Sequence, residues 1–149
     1  MQKNEAVVEI RSFNRFYTNI ISILDESVLK SGNSLAEARV LFEIAQHDEV
    51  CAREILRNLI IDEGYLSRIV NKLILEKLIV KTQSIKDKRQ FDLSLSEYGV
   101  ARLEKLNDLA DSATLKLICN INSQDLITLM SSMGKVQSIL QKYNDNQQV

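Results

Sequence analysis

Ile61-Asp62-Glu63-Gly64-Tyr65-Leu66-Ser67-Arg68-Ile69-Val70-Asn71-Lys72-Leu73, continued to Lys77 and then through Leu78–Ile85, Lys86-Asp87-Lys88-Arg89 and Gln90–Leu95, is the stretch on which the fold turns. Its first part repeats Leu66, Ile69, Val70 and Leu73 at helical spacing, which predicts a helix over 63–77 with Asp62 as its N-cap. That helix turns Gly64, Tyr65, Ser67, Arg68, Asn71 and Lys72 outward. The apolar period then changes from 3.6 to 2, so 78–85 and 90–95 read as two strands. Between them Lys86-Asp87-Lys88-Arg89 puts four charged residues at a hairpin tip.

Upstream, Arg53–Leu59 carries Ile55, Leu56 and Leu59 on a short helix, and Ile60-Ile61-Asp62 makes the turn into the next one. Cys51-Ala52 is too short to classify and is compatible with an extended bridge. Ser34-Leu35-Ala36-Glu37 is a capping box: the serine accepts one orphan backbone N–H and the glutamate reaches back to another. It opens a helix to about Gln46 whose inward face is assigned to Leu35, Ala38, Leu41, Phe42 and Ala45. Before it, Val7, Ile10, Phe13, Phe16, Tyr17, Ile20, Ile21, Leu24 and Val28 mark one long helix over 5–30, stopped by Ser31-Gly32-Asn33. Two helices follow the hairpin, 96–118 and 122–143, with Leu126, Leu129, Met130, Met133, Val136 and Leu140 as the apolar stripe of the second. Asn144 onward is a polar tail that is expected to fray. No repeat or linker interrupts residues 1–149, which read as a single domain.

Composition agrees with a helical protein. Proline is absent and glycine occurs four times in 149 residues, so helices meet few breakers. No apolar run approaches the roughly 20 residues of a membrane span, and the start mixes charge with apolar residues too early for a secretory signal. Cys51 and Cys119 stand alone, which points to reduced thiols in a cytoplasm. They are expected to be buried or inert. With His47 as the single histidine, a metal site is not expected, and His47 reads as a cation near a helix C-terminus. No nucleophile, base and orienting acid occur together, and no glycine-rich phosphate loop is present, so neither an enzyme nor a cofactor is expected. Residues 50–95 hold nine Lys and Arg against six Asp and Glu, while the whole chain has a net charge of −1. A basic middle between acidic flanks suits an anionic partner.

Helix, tight turn, helix, hairpin with a cationic tip: this order is that of a winged helix-turn-helix, a mainly α fold with a small β-hairpin wing. The first helix of the pair braces the second, whose N-terminal half fits the major groove. Tyr65, Ser67, Arg68 and Asn71 can exchange hydrogen bonds with base edges, and Gly64 lets the backbone come close to DNA. Lys86, Lys88 and Arg89 suit phosphates or the minor groove, with Asp87 placed to fix the rotamer of Arg89. Taken singly, a polar helix face or a charged turn is ordinary solvated surface; their succession at this spacing is what favours DNA. The other reading is a helical protein–protein adaptor that keeps the winged scaffold without binding DNA.

Leu35–Gly99 resembles the MarR (multiple antibiotic resistance regulator) family in the order and spacing of its elements. The resemblance rests on Ile61-Asp62, Ser67–Leu73, Asp87-Lys88-Arg89 and Leu95-Ser96-Glu97-Tyr98-Gly99. It implies that Gly64, Tyr65, Ser67 and Arg68 touch bases or nearby backbone, and that Arg89 enters the minor groove, oriented by Asp87. Two positions depart from the pattern: Lys77 or Leu78 stands where the family usually has a glycine, and Glu63 is acidic close to where phosphates would lie. Arg11–Tyr17 and Ser34–Leu41 are similar to the regulator half of proteins that fuse a MarR domain to a GNAT acetyltransferase, and a stand-alone relative is expected. Apolar surface on the first and last two helices, beyond what the 34–95 segment can cover, implies a homodimer built on 5–30 and 96–143. Such a dimer reads a pseudo-palindromic duplex. The resemblance further implies a small aromatic anion as effector, in a pocket expected near Phe16, Tyr17, Ile20, Leu41 and Phe42, with Arg15 or Arg39 as counter-charge.

Overall fold

A computed structural model of the chain describes residues 3–144. In order they form α1 (Lys3–Leu29), α2 (Leu35–Ala45), β1 (Val50–Cys51), α3 (Ala52–Leu59), α4 (Glu63–Leu75), β2 (Ile79–Gln83), β3 (Phe91–Leu95), α5 (Glu97–Ile118) and α6 (Ser123–Asn144). The sheet is antiparallel in the order β1-β3-β2, with Ile79 opposite Leu95, Gln83 opposite Phe91 and Val50 opposite Leu93. The mainly helical fold with a hairpin wing is therefore as the sequence pattern predicts, and the bridge expected near Cys51 is a third strand. Two compact units divide the chain, one up to Ala113 and one from Thr114, the division falling inside α5. The sheet, the main core and the candidate site belong to the first.

The helix boundaries have local causes. Ser34 Oγ accepts the Glu37 N–H at 3.2 Å and Glu37 Oε2 accepts the Ser34 N–H at 3.1 Å, the reciprocal capping box that opens α2. Asp62 Oδ2 accepts the Tyr65 N–H at 2.9 Å and starts α4. That helix stops two residues before the predicted Lys77, because Lys77 turns left-handed at φ +59°. The Leu78 N–H then donates to the Leu73 carbonyl and the Lys77 N–H to that of Ile74, both at 2.9 Å, which closes a Schellman motif without glycine. β2 is likewise shorter than the predicted 78–85: Ser84 and Ile85 belong to the wing loop.

The core gathers Val28, Val40, Leu41, Ile44, Val50, Ile55, Leu66, Ile69, Leu73, Leu78, Ile79 and Leu93. The predicted inward face of α4 is the observed one. That of α2 needs correction: Val40, Leu41 and Ile44 are buried, whereas Leu35, Phe42 and Ala45 are exposed. Leu35, Ala38 and Phe42 line an open cleft that their own chain does not fill, so the apolar stripe of α2 serves two surfaces. Most apolar residues of α1 and α6 are also exposed, Phe16 and Met130 among them. Neither cysteine is buried, contrary to one expectation: Cys51 is half-buried and Cys119 exposed.

Candidate nucleic-acid interface

α3, the turn and α4 are set by two kinds of backbone chemistry. Ile60 ends α3 in the left-handed conformation, φ 49° and ψ 57°, and its N–H still donates to the Leu56 carbonyl. Asp62 then caps the next helix, so the chain reverses within Ile60–Asp62. With Leu66, Ile69, Val70 and Leu73 buried, the helical period leaves Gly64, Tyr65, Ser67, Arg68 and Asn71 exposed along one side of α4. The Arg68 guanidinium lies 5.7 Å from the centroid of the Tyr65 ring, a cation–π contact that limits its rotamers. Gly64 has a local reason as well: a Cβ there would come within 3.1 Å of the capping Asp62 carboxylate.

Lys72 differs from the others on that helix. Its ammonium donates to Glu37 Oε1 at 2.7 Å and lies 3.8 Å from Glu76 Oε1. Glu37 is 7% exposed. Burial by itself raises its pKa, but hydrogen bonds from Lys72, Asn33 and the Ser34 N–H outweigh this and hold the carboxyl below its ordinary range. Lys72 moves the opposite way: the bond to Glu37 holds its ammonium above the usual lysine value. Both directions describe one ion pair.

The wing loop is internally tied. Ser84 N–H donates to the Gln90 carbonyl at 3.0 Å and Gln90 N–H to the Asp87 carbonyl at 2.9 Å. Asp87 Oδ1 accepts the backbone N–H of Arg89, and Oδ2 accepts the Gln90 side-chain amide, each at 3.0 Å. Asp87 therefore braces the loop backbone and does not hold the Arg89 guanidinium, which corrects the expectation for that pair. A short polar acceptor two residues upstream of an N–H forms an Asx-type turn, and this local bond wins. Lys86, Lys88 and Arg89 are exposed around it.

The structure brings the α4 face and the wing base together around a cleft of about 470 Å³, lined by Ser67 and Asn71 from α4 and by Lys81, Gln90 and Phe91 from the hairpin. Arg53, Lys81 and Gln90 were not singled out in the sequence. Of these, Lys81 alone lies on a strand, where alternation says which side a residue occupies and not what stands opposite; Arg53 on α3 and Gln90 in the wing loop carried no such signal. Of the residues assigned to an effector pocket, Arg39 and Phe42 share a cleft and the others do not line it. A second cleft of about 370 Å³ is lined by Leu35, Arg39 and Phe42 of α2 with Val28, Leu103 and Leu106. Leu41 is fully buried, so it cannot line the cleft. Arg15, Phe16, Tyr17 and Ile20 do not line it either. From Phe16 to Val28 is twelve residues of α1, about 18 Å along a helix axis, too far to share one small cleft. Among the described residues no three His, Cys, Asp or Glu side chains converge as a metal site would require.

Residues 31–90 match the model of the MarR family. The HTH-type transcriptional regulator BilQ of Clostridium symbiosum is 29% identical over 111 residues, 72% of this chain and 77% of that protein. Wild-type MarR of E. coli in its apo form superposes with a TM-score of 0.77 at 22% identity, covering 85% of this chain and 93% of that one. A cysteine-to-serine mutant of the same protein, in complex with operator DNA, gives 0.74 at 22% identity over 89% and 96% of the two chains. At such identities the solved structures speak for the fold alone. Residues 31–90 thus match the MarR family, within a fold that the chain shares with the MarR structures.

Proposed function

We propose that the chain binds double-stranded DNA sequence-specifically, as a homodimer acting on a roughly palindromic operator in the cytoplasm. In this reading residues 1–149 act as one MarR-like domain: 34–95 forms the winged helix-turn-helix, and 5–30 with 96–143 the dimerisation helices. The observation that carries it is the division of α4. Leu66, Ile69, Val70 and Leu73 are spent on the core, while Tyr65, Ser67, Arg68 and Asn71 face solvent, and the braced wing loop carries three exposed cations. Among the described residues neither Arg68 nor Arg89 makes an ion pair with a carboxylate, so each is available to a phosphate or a base. A MarR structure of this fold in complex with operator DNA supports the reading.

The homodimer draws support from apolar side chains that the single chain leaves in solvent, Val8, Phe13 and Phe16 on α1 and Met130, Ile139 and Leu140 on α6. Exposed patches of this kind mark interfaces. A small aromatic anion is the proposed effector, at the cleft on α2 and α5: the lining is mostly apolar, with Arg39 as the counter-charge and Glu43 as an acid beside it. No helix among the described residues is long and apolar enough to cross a membrane.

Selection of bound duplexes from a random pool tests this reading. The expected product is an inverted repeat with half-sites about one helical turn apart. A chain that dimerises but enriches no sequence, and retains no duplex even at low salt, is instead the helical adaptor.

A further inference from the structure

Glu37 does more than cap a helix. A capping-box glutamate needs one partner, the backbone N–H of the N-cap residue, and usually stands in solvent. Here the carboxylate is buried and takes three donors: the Ser34 N–H and Asn33 Nδ2 on Oε2, both at 3.1 Å, and Lys72 Nζ on Oε1 at 2.7 Å. Asn33 is itself only 1% exposed, and its Oδ1 accepts from Arg102 Nη1 at 2.6 Å. One carboxylate thus joins the start of α2, the DNA-facing side of α4 and, through Asn33, the first turns of α5. A buried carboxylate is tolerable only while its donors stay in place, so the three helices are held in one relative arrangement. Lys72 stands one helical turn beyond Arg68 on α4, and its ammonium points back into the protein.

We infer that Glu37 is a positioning residue for DNA recognition, fixing α4 against α2 and α5 through Lys72 and the Asn33–Arg102 pair, with Lys72 as a strut and not a phosphate contact. The inference rests on the DNA-binding reading above. It assigns Lys72 a task opposite to that of Arg68, although both are cations on the same exposed side. A phosphate contact releases counterions and steepens the dependence of affinity on salt; a strut inside the protein does not.

The experiment titrates the full chain and its Glu37→Gln, Lys72→Met and Lys72→Arg variants against a selected duplex at several salt concentrations, with thermal melts alongside. Glu37→Gln and Lys72→Met should each weaken binding about two- to thirtyfold, at an unchanged salt slope. The double variant should be no worse than the weaker single, because both break one strut. Lys72→Arg, which still reaches the carboxylate, should retain most of the affinity. Lys72 is half-exposed, so its variants keep the test alive should Glu37→Gln fail to fold. The inference is overturned if Lys72→Met flattens the slope by about one unit per protomer, which marks a phosphate contact. It is equally overturned if Glu37→Gln binds more tightly with a steeper slope, or if both variants bind as the parent does. A parent that retains no duplex at any salt overturns the DNA reading and the strut together.

Discussion

Arg68 and Arg89 are both exposed guanidinium groups, and in the proposed DNA interface their settings suit different tasks. Arg68 leaves the middle of α4, where a bidentate contact to guanine O6 and N7 is geometrically open, and its contact with the Tyr65 ring reduces the freedom it loses on binding. Arg68→Ala should cost roughly 1–3 kcal/mol and relax preference mainly at one base position of each half-site, as measured by titration against single-base operator variants. Arg89 stands on a loop made rigid by Asp87, where contacts go to phosphates or a narrow minor groove. Arg89→Ala should weaken binding to nearly all sequences and flatten the salt slope by about one unit per protomer. Both variants should melt as the parent does. Glu37 adds a pH dependence of stability. Its folded pKa lies below 4.5, the ordinary value, so the unfolded chain takes up the proton first as pH falls. The stabilisation is complete above that ordinary value and is lost as pH drops through the lowered one. The difference in melting temperature between the parent and Glu37→Gln should therefore shrink below about pH 4.5; a constant difference down to the acid transition would contradict the assignment.

At the scale of elements, two backbone positions in and next to the winged unit set opposite constraints. Ile60 holds a left-handed conformation with a β-branched side chain that is 80% exposed, so strain is present and no burial offsets it. Ile60→Gly should raise unfolding stability by about 0.5–1 kcal/mol, the relief of roughly 1–2 less the chain entropy of glycine; a loss in urea unfolding would show that Ile60 is held by contacts instead. Gly99 is the reverse case: a Cβ there would stand 1.9 Å from the Leu78 carbonyl oxygen, which also accepts the Ser96 N–H. Gly99→Ala should cost about 1–3 kcal/mol, and more if β2 cannot shift. The Ser34 box, the Asp62 cap and the inward face of α4 were legible in the sequence because each lies within one or two helical turns. Glu37–Lys72 spans 35 positions and Asn33–Arg102 spans 69, so no local pattern announces them. Asp87 was misread for a related reason: spacing put it near Arg89 but could not say whether backbone or guanidinium would take the bond. The left-handed Ile60 and Lys77 were hidden because neither residue type favours that conformation. The cleft on α2 and α5 was half legible, through Arg39 and Phe42, since helical periodicity gives a residue's side of α2 but not which stretch of α1 lies opposite.

For the whole molecule, apolar side chains on α1 and α6 that the chain leaves in solvent set the expectation of a stable dimer. Light scattering should give twice the mass of the 17.0 kDa chain at micromolar concentration, and a stable monomer there would contradict the dimer. In the proposed dimer two-fold symmetry would double every surface argued above: two α4 faces and two wings would meet one duplex, and each substitution would be read twice in the salt slope. The central claim is that this paired surface binds duplex DNA by sequence. The most direct measurement is a titration of the dimer against the selected inverted repeat and against a scrambled duplex of equal length and composition, at several salt concentrations. The account predicts at least a thousandfold preference for the repeat at physiological salt, of the order specific regulators show, with affinity for both duplexes falling steeply as salt rises. Equal affinity for the two duplexes, or binding that salt does not weaken, would contradict it.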